Sequence, residues 1–176
     1  MEIRTFNPAT DISTTVCLYR ACFAEPPWFE HFLPNEVVDD FMWIRGLDNS
    51  VFLVAVENEV VIAGAAGFPL QDKPEVLKLV NDPEAYYLAE LFVQRNWRGS
   101  GLARQMIQRR FELIRQMGYR RAIVRTSVEQ PAILALYSSF GFTEMNRQDV
   151  RSRKVIEGVE QMAPDTRVIL VGTVPT

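Results

Sequence analysis

Residues that bind metals or form disulfides are few in this sequence. Its 176 residues include one histidine, His31, and two cysteines, Cys17 and Cys22. The cysteines lie five apart on a predicted helix, so they do not share a face well enough to suggest a disulfide or a metal pair. His31 has no matching ligands and is predicted to be a loop residue. We therefore expect two reduced thiols and no metal site.

Long apolar runs are also absent. The first residues, Met1 to Phe6, carry none, which argues against a signal peptide or a membrane span. The apolar fraction is 48% and the charged fraction is 23%, as in ordinary globular proteins. No composition shift, repeat or low-complexity tract divides the chain. We therefore expect a single domain over residues 1–176, located in the cytoplasm.

Basic residues are scarce in the first half of the chain and acidic residues in the second. Residues 1–90 hold 5 Lys/Arg and 15 Asp/Glu, whereas residues 91–176 hold 14 and 7. Within residues 94–125, nine arginines accompany one acid. This field favours an anionic ligand. A nucleic acid would also fit the basic patch, but the acidic first half and the net charge of −3 argue against one.

Hydrophobic periodicity, prolines and glycines predict alternating strands and helices. Strands are predicted over residues 3–6, 51–56, 60–68, 86–93, 120–125, 143–150 and 166–174, with a charged segment linking the last two. Helices are predicted from Thr10 or Asp11 to before Pro26, from Pro34 to Gly46, and over residues 75–80, 102–117 and 131–140. Hairpins give antiparallel pairs and crossover helices give at least one parallel pair, so the sheet must be mixed.

Two details inside these elements carry further expectations. Gly64 and Gly67 interrupt an apolar strand, which indicates a bulge or a close contact with a ligand or a neighbouring backbone. Arg109, Arg110 and Arg115 belong to a run of charges on a helix, and we expect them on its solvated face.

The strongest functional signal is the strand, turn and helix around Glu90–Ala103. Tyr86 to Val93 reads as a strand buried on both faces, with Glu90 as its one charge. Gly99 and Gly101 in the turn allow unusual backbone dihedrals and close approach of a ligand. Several N–H groups can then converge at the start of a helix, which makes an anion site.

Two common phosphate-binding motifs do not fit this turn. A P-loop requires a lysine followed by serine or threonine after its last glycine, and no such pair is present. The dinucleotide fingerprint would begin at Gly99 and Gly101, but its third glycine falls on Arg104. The next strand also closes with Arg125 instead of an acid, which makes a Rossmann site unlikely by spacing.

The stretch Arg98-Gly99-Ser100-Gly101-Leu102-Ala103 resembles the Arg/Gln-x-x-Gly-x-Gly/Ala motif of the GCN5-related N-acetyltransferases, the GNAT family. Further on, Leu136 to Phe142 resembles the family's Leu-Tyr-x-x-x-Gly-Phe element. The two elements together cover roughly residues 85–145. The resemblance implies an α+β, acyl-CoA N-acyltransferase fold, whose mixed, mostly antiparallel sheet of about seven strands carries helices on both faces. Many relatives have an asparagine near the start of the helix that carries the tyrosine; here that stretch is Ser127 to Pro131, in which Gln130 could substitute for it.

The resemblance implies acetyl-CoA, or another acyl-CoA, as the donor and an amine as the acceptor. Backbone N–H groups from Gly99 through Ser100 and Gly101 to Ala103 would hold the pyrophosphate, with Arg98 and Arg104 adding positive charge. In relatives the pantetheine arm lies along the central strand. Here it would run near Leu91 and Val93, where the resemblance implies that this strand and the next one splay apart.

Two residues are candidates for proton transfer in such a reaction. Attack on a thioester needs a neutral amine, and Glu90 is our candidate for the base because many relatives carry an acid at this point. Its alternative is a strand-end carboxylate that faces solvent or pairs with an arginine. Tyr137 would protonate the departing CoA thiolate, and its alternative is a core tyrosine with a satisfied hydroxyl.

The acceptor site is expected beside the loop between the first two helices. In the family this loop borders the acceptor, which makes Trp28 and Phe29 candidate substrate contacts; their alternative is a core flap. Acids cluster around the loop and the helix after it, namely Glu25, Glu30, Glu36, Asp39 and Asp40. They favour a cationic acceptor such as a polyamine, an aminoglycoside or a lysine-like amine, unless they serve only solubility.

Two functions of other classes stay open at this stage. One is a non-catalytic acyl-CoA-binding or regulatory protein of the same fold, and the other is a nucleic-acid-binding module that uses the arginine patch. The sequence also leaves open which amine is acylated, which acyl group is transferred and whether the chain forms a homodimer.

Overall fold

The computed structural model describes residues 1–176 as a seven-stranded sheet packed between helices. The strands are β1 (Glu2–Thr5), β2 (Val51–Glu57), β3 (Val60–Pro69), β4 (Tyr86–Val93), β5 (Arg121–Ser127), β6 (Thr143–Ile156) and β7 (Val159–Thr173). The helices are α1 (Pro8–Ala24), α2 (Pro34–Gly46), α3 (Pro74–Val80), α4 (Leu102–Gln116) and α5 (Pro131–Ser138). None of these helices combines the length and the apolar character needed to cross a membrane.

The strands are arranged in the order β1-β2-β3-β4-β5-β7-β6. Every neighbouring pair is antiparallel except β4 and β5, which are parallel. Apolar residues of α4 and α5 pack on one face of the sheet, and those of α1, α2 and α3 pack on the other. The predicted α+β fold with a mixed, mostly antiparallel sheet is confirmed.

Helix α1 begins earlier than the sequence pattern predicted. The side chain of Asn7 caps the helix, and Pro8 occupies the first helical position, where its missing N–H costs no hydrogen bond. Asp11, one of the two predicted caps, is instead buried and pairs with Arg4 of β1, with 2.7 Å between Nη1 and Oδ2. The acid therefore ties the helix to the edge strand.

The central feature of the sheet is the separation of β4 from β5. Only Tyr86 and Tyr87 of β4 pair with β5, opposite Ala122 and Ile123. On its other side β4 carries a bulge, because three residue steps from Tyr87 to Glu90 oppose two steps of β3. A bulge bends a strand and increases its twist. Beyond it, one edge of β4 is left without a neighbouring strand.

The two glycines of β3 are explained by close approach of β4. A Cβ at Gly64 would lie 2.2 Å from the ring of Phe92, and one at Gly67 would lie 2.7 Å from the carbonyl oxygen of Tyr87. Both distances are far below a van der Waals contact. The predicted close contact is therefore confirmed, and the neighbours are a ring of β4 at Gly64 and its backbone at Gly67.

The C-terminal hairpin differs most from the sequence prediction. The strands predicted over residues 143–150 and 166–174 extend through the charged segment between them to Ile156 and from Val159. Glu157 and Gly158 form the turn, both with positive φ, as a two-residue type I′ hairpin turn requires. The prediction of a charged link was wrong because most residues of this hairpin are exposed or half-buried on both faces. Apolar and polar residues therefore do not alternate along it, and the sequence gives no strand pattern.

Candidate active site

A cavity of about 790 Å³ lies where β4 and β5 separate. It runs from the glycine turn before α4 to the loop between α1 and α2. The cavity wall includes ten residues that were predicted for the site from the sequence: Trp28, Glu90, Leu91, Val93, Arg98, Gly99, Gly101, Ala103, Arg104 and Tyr137. Ser100 and Phe29 do not line it, whereas Gln130, just before α5, does.

The glycine turn presents the start of α4 to this cavity. Gly99 and Gly101 have φ angles of +78° and +85°, which favour glycine because it lacks a Cβ. Gly101 is the N-cap, and no side chain caps the helix. Uncapped N–H groups at a helix start are an anion site. Ser100 turns its hydroxyl back to the carbonyl oxygen of Trp97, 2.6 Å away, so its side chain serves the turn.

The two arginines of the turn have different surroundings. Arg98 spans the mouth of the cavity, with Nη1 2.6 Å from Glu25 Oε2 and Nε 3.0 Å from the carbonyl oxygen of Val93. Its guanidinium therefore braces the turn against α1 and β4. Arg104 contacts a hydroxyl and a ring instead of an acid: Nη2 is 2.9 Å from Ser139 Oγ, and Phe140 lies under the guanidinium. Its charge is the one more available to an anionic ligand.

The open edge of β4 turns backbone groups toward the gap. Gln94 donates its N–H to the carbonyl of Ile62, with 2.8 Å between N and O, which points the Gln94 peptide groups at β3. Because the direction of peptide groups alternates along a strand, those of Leu91 and Val93 point the other way. They face the gap into which β5 does not extend. The Val93 carbonyl accepts from Arg98 there, so an extended ligand could pair with the Val93 N–H and the Leu91 groups as a strand would.

Glu90 lies on the cavity wall on the side of α1. It is only partly accessible, and burial raises the pKa of its carboxyl to about 8; Lys73 opposes the rise, while Asp40 and Glu30 add to it. The hydroxyl of Tyr19 also stabilises the charged form. No arginine is among these groups, so the alternative of an arginine-paired carboxylate does not describe this position. A carboxyl with such a pKa can exchange a proton near neutral pH.

Tyr137 lies on the opposite side of the gap, in α5. It is 2% exposed, and its hydroxyl accepts a hydrogen bond from Nη2 of Arg110, with 2.8 Å between the two atoms. Burial raises the pKa of the hydroxyl, and the Arg110 charge opposes that rise. Tyr137 is therefore both a core residue with a satisfied hydroxyl and part of the cavity wall.

The predicted position of Arg110, on the solvated face of its helix, was wrong. Arg109 and Arg115 are exposed as predicted, but Arg110 is fully buried. A signal was present in the sequence, because Arg110 shares the helical spacing of the apolar residues Met106, Ile107, Phe111 and Ile114, all buried. Placement on that stripe predicts burial more directly than membership of a charge run.

The α1–α2 loop and the C-terminal hairpin form the end of the cavity where the acceptor site was predicted. Trp28 lines the cavity, and the guanidinium of Arg167 in β7 lies 4.6 Å from its ring centroid. Phe29 instead uses its backbone carbonyl to accept from the N–H of Val155, with 2.7 Å between O and N. Nearby, Lys154 is buried and donates to the carbonyl of Pro27 at 2.6 Å. The hairpin thus holds the loop in place.

Several residues at this end were not foreseen from the sequence. They come from five helices and strands and from the turn before α3, and they meet only in the folded chain: Tyr19, Trp43, Lys73, Tyr87, Arg125 and Arg167. Glu30 and Asp40, two of the predicted acids, also line the cavity, and burial raises the pKa of both carboxyls. No group of three or more His, Cys, Asp or Glu side chains is placed to hold a metal.

Comparison with known proteins identifies the kind of domain. The model of the acetyltransferase (GNAT) family matches residues 17–142. N-acetyltransferase 8 of Homo sapiens is 27% identical over 125 residues, which cover 68% of this chain and 51% of the human protein. The uncharacterized N-acetyltransferase YhbS of Escherichia coli K12 is 32% identical over 102 residues, 57% of this chain and 54% of YhbS. The chain thus spans about half the length of these curated relatives.

Solved structures share the whole fold at lower identity. The ribosomal-protein-alanine N-acetyltransferase of Brucella melitensis superposes with a TM-score of 0.76 at 20% identity, covering 98% of this chain and 99% of its own. The yncA protein of Salmonella typhimurium, a putative acetyltransferase solved with acetyl-CoA, has a TM-score of 0.73 at 17% identity, covering 100% and 95%. At these identities the likeness concerns the fold alone.

Proposed function

The chain belongs to the GNAT family of acetyltransferases, and on that premise we propose that it transfers an acetyl group from acetyl-CoA to a primary amine. The observation that carries the proposal is one continuous cavity that joins the glycine turn, the open edge of β4, Glu90 and Tyr137. An anion site, a strand-like edge, a base and an acid are the parts that such a transfer needs. Residues 1–176 would act as a single catalytic domain.

In this mechanism Glu90 accepts a proton from the ammonium form of the acceptor, directly or through water. The neutral amine then attacks the thioester carbonyl, forming the C–N bond, and the nitrogen, now positively charged, releases its extra proton to water, as Glu90 does after the products leave. As the C–S bond breaks, Tyr137 gives its hydroxyl proton to the departing CoA thiolate. Arg110 stabilises the phenolate that results, and the phenolate recovers a proton from water after the products leave.

The donor would lie between the glycine turn and β4. Backbone N–H groups from Gly99 to Ala103 and the charge of Arg104 would hold the pyrophosphate. Arg98 would act mainly as a brace, because Glu25 and the Val93 carbonyl already engage its guanidinium. The backbone groups of Leu91 and the N–H of Val93 would pair with the pantetheine arm, whose amides match a strand edge.

Ala103→Glu is expected to weaken binding of acetyl-CoA by about 10- to 100-fold, because a carboxylate in the first turn of α4 competes for the N–H groups and repels phosphate. The same charge stabilises a helix start, so the fold should persist. Isothermal titration with acetyl-CoA measures the change. Gln108→Glu, which adds the same charge at an exposed position of α4, is the matched control. Equal affinity of both variants and wild type would contradict the pyrophosphate site.

We propose a cationic acceptor, since Glu30, Asp40 and Glu90 line the end of the cavity beside Trp28. Cations also line this end, but two of them are already paired: Lys73 with Glu75 at 2.7 Å and Arg167 with Asp165 at 2.8 Å. The remaining one is Arg125, which contacts Gln148. Arg167 also lies 3.7 Å from Oε1 of Glu30. A polyamine, an aminoglycoside or a lysine-like amine would be attracted by these acids in their ionised forms.

An acceptor panel tests this choice. CoA release is measured with spermidine, an aminoglycoside, free lysine, a neutral aromatic amine and an anionic amine, each at several concentrations. Cationic amines are expected to give the highest kcat/KM, and the preference should weaken as salt rises. Turnover restricted to the neutral and anionic amines would exclude the cationic acceptor while leaving N-acetyl transfer intact.

The other classes of function make different predictions. A non-catalytic acyl-CoA sensor would bind acetyl-CoA without turnover on any amine. A nucleic-acid-binding module would show steeply salt-dependent binding of DNA or RNA and none of acetyl-CoA. The expected cytoplasmic location, and the absence of nucleic-acid, membrane and metal partners, stay predictions from the sequence.

A further inference from the structure

Arg110 has an environment that is unusual for an arginine. It is fully buried in the middle of α4, on the face that packs against the sheet. Its hydrogen-bond partners are two backbone carbonyls and one hydroxyl, none of which carries a compensating negative charge. Its Nε is buried without a partner. Burial of a guanidinium without a negative partner lowers the stability of the fold. We therefore expect Arg110 to have a role that an apolar residue could not fill.

Nη1 of the guanidinium stabilises the bulge of β4. Nη1 donates to the carbonyl oxygen of Ala66 at 2.8 Å and to that of Glu90 at 2.9 Å. Ala66 and Glu90 are paired residues of β3 and β4, and the register shift begins directly beyond them. A single donor that bridges both carbonyls holds the two strands together where the ladder is interrupted. It also fixes the backbone that carries the Glu90 side chain.

The other half of the guanidinium orients Tyr137. Nη2 donates to the Tyr137 hydroxyl at 2.8 Å, which occupies an acceptor lone pair of that oxygen. The hydroxyl proton must then point away from the guanidinium. Tyr137 lines the cavity, and in the proposed mechanism this proton is the one given to the departing thiolate. The positive charge also stabilises the phenolate that forms when this proton leaves.

We propose that Arg110 is a positioning residue that couples the two sides of the active site, setting the backbone of Glu90 and the hydroxyl of Tyr137 through one guanidinium. The inference rests on the proposed acetyl transfer and adds a residue to it. Arg110 does not line the cavity and acts only through these two groups. A lysine cannot replace it fully, because one ammonium cannot reproduce the planar fork that binds carbonyls and hydroxyl at once.

Arg110→Met and Arg110→Lys are the test variants, with Arg109→Met as the matched control, since Arg109 is the exposed neighbour on the same helix. Arg110→Met is expected to lower kcat by about 10- to 100-fold, as expected for the loss of charge-assisted hydrogen bonds, with little change in KM for acetyl-CoA. Arg110→Lys should recover part of the loss. Arg109→Met should behave as wild type. Thermal melts and acetyl-CoA titration identify any variant that fails to fold.

A double-mutant cycle with Tyr137→Phe separates positioning from simple structural support. If Arg110 acts largely through Tyr137, the loss caused by Arg110→Met should be much smaller when Tyr137 is already replaced. An equal loss in both backgrounds would overturn the coupling. The 13C signal of the Tyr137 ring, assigned with Tyr137→Phe, should shift in Arg110→Met and stay in place in Arg109→Met. An unchanged signal in Arg110→Met would also overturn it.

These outcomes are distinct from failure of the proposed function. A wild-type protein that binds acetyl-CoA but acetylates no amine overturns the transfer reaction and, with it, the role of Arg110. An active wild-type protein whose Arg110 variants retain full kcat overturns the role of Arg110 alone.

Discussion

Glu90→Gln is expected to lower kcat by about 100- to 10,000-fold, the range typical for removal of a positioned general base. The amide keeps the size of the side chain but cannot take a proton from the acceptor. Steady-state assays with the best amine of the panel measure the loss, and affinity for acetyl-CoA should stay close to that of wild type. Loss of turnover with retained binding distinguishes an enzyme from an acyl-CoA sensor.

The pH dependence gives this prediction its second readout. Burial raises the pKa of Glu90 to about 8, so the base is mostly protonated at neutral pH and kcat/KM of wild type should rise as pH passes through about 8. The acceptor ammonium also loses protons in this range, but that effect is common to enzyme and variant. For Glu90→Gln, kcat/KM should therefore rise with pH only because the acceptor ammonium loses its proton. The additional rise caused by deprotonation of the Glu90 carboxyl should be absent.

The contribution of Glu90 to folding stability should fall as pH rises, whereas kcat/KM should rise. The pKa of Glu90 in the folded protein is about 8, against 4.5 for an unperturbed carboxyl. Between these values the unfolded chain binds fewer protons than the folded one, so the contribution of Glu90 to folding stability falls as pH rises and levels off above about 8. Urea unfolding of wild type and Glu90→Gln across this range should show the difference growing with pH.

Glu84→Gln is the matched control for these measurements, because Glu84 is an exposed acid just before β4. It should leave kcat, the pH profile and the stability curve unchanged. Wild-type turnover in Glu90→Gln at every pH would assign the proton transfer to another group and contradict the role of Glu90.

Tyr137→Phe is expected to lower kcat by about 100-fold or more, since the thiolate would then leave without a positioned acid. The ring still fills its place in the core, so KM for acetyl-CoA should change little. With a donor whose thiol leaving group has a lower pKa, the variant should recover much of its rate, because a better leaving group needs less protonation. That dependence on the leaving group is the critical measurement.

The same variant should also be less stable. Removal of the hydroxyl leaves Nη2 of Arg110 without its acceptor in a buried position, which costs about 1 to 3 kcal/mol. Denaturant unfolding measures this cost. Tyr119→Phe is the control, because Tyr119 packs on Tyr86 away from the cavity. If both tyrosine variants kept wild-type rates with every donor, Tyr137 would be a core residue only.

Much of the donor side of the site could be predicted from the sequence because its signals are local. The glycines of the turn, the apolar stripe of α4 and the buried run of β4 each lie within one short stretch, and backbone geometry converts such patterns directly into structure. Glu90 was notable for the same reason, as the one charge in an apolar strand. The resemblance to GNAT motifs then gave these residues a chemical interpretation.

The acceptor side could not be predicted to the same extent. The long hairpin of β6 and β7 carries polar residues on both faces. Apolar and polar residues therefore do not alternate in the half nearest its turn, and no strand pattern can be detected there. Its contacts with the α1–α2 loop, such as Val155 with the Phe29 carbonyl, join parts of the chain that are far apart. Those contacts decided that Trp28 lines the cavity and that Phe29 does not.

The sequence by itself determined the order of strands and helices, the glycine turn and Glu90 as the one charge in an apolar strand, because each depends on neighbours along the chain, while the resemblance to GNAT motifs supplied the fold and the candidate role of Tyr137. Only the tertiary structure decided the state of Glu90 and the place of Arg110. The pKa of Glu90 depends on burial and on charges from other elements. Arg110 depends on carbonyls that lie 44 and 20 residues away along the chain. Both effects act through space, and they arise only when α4 packs against a sheet that has opened between β4 and β5.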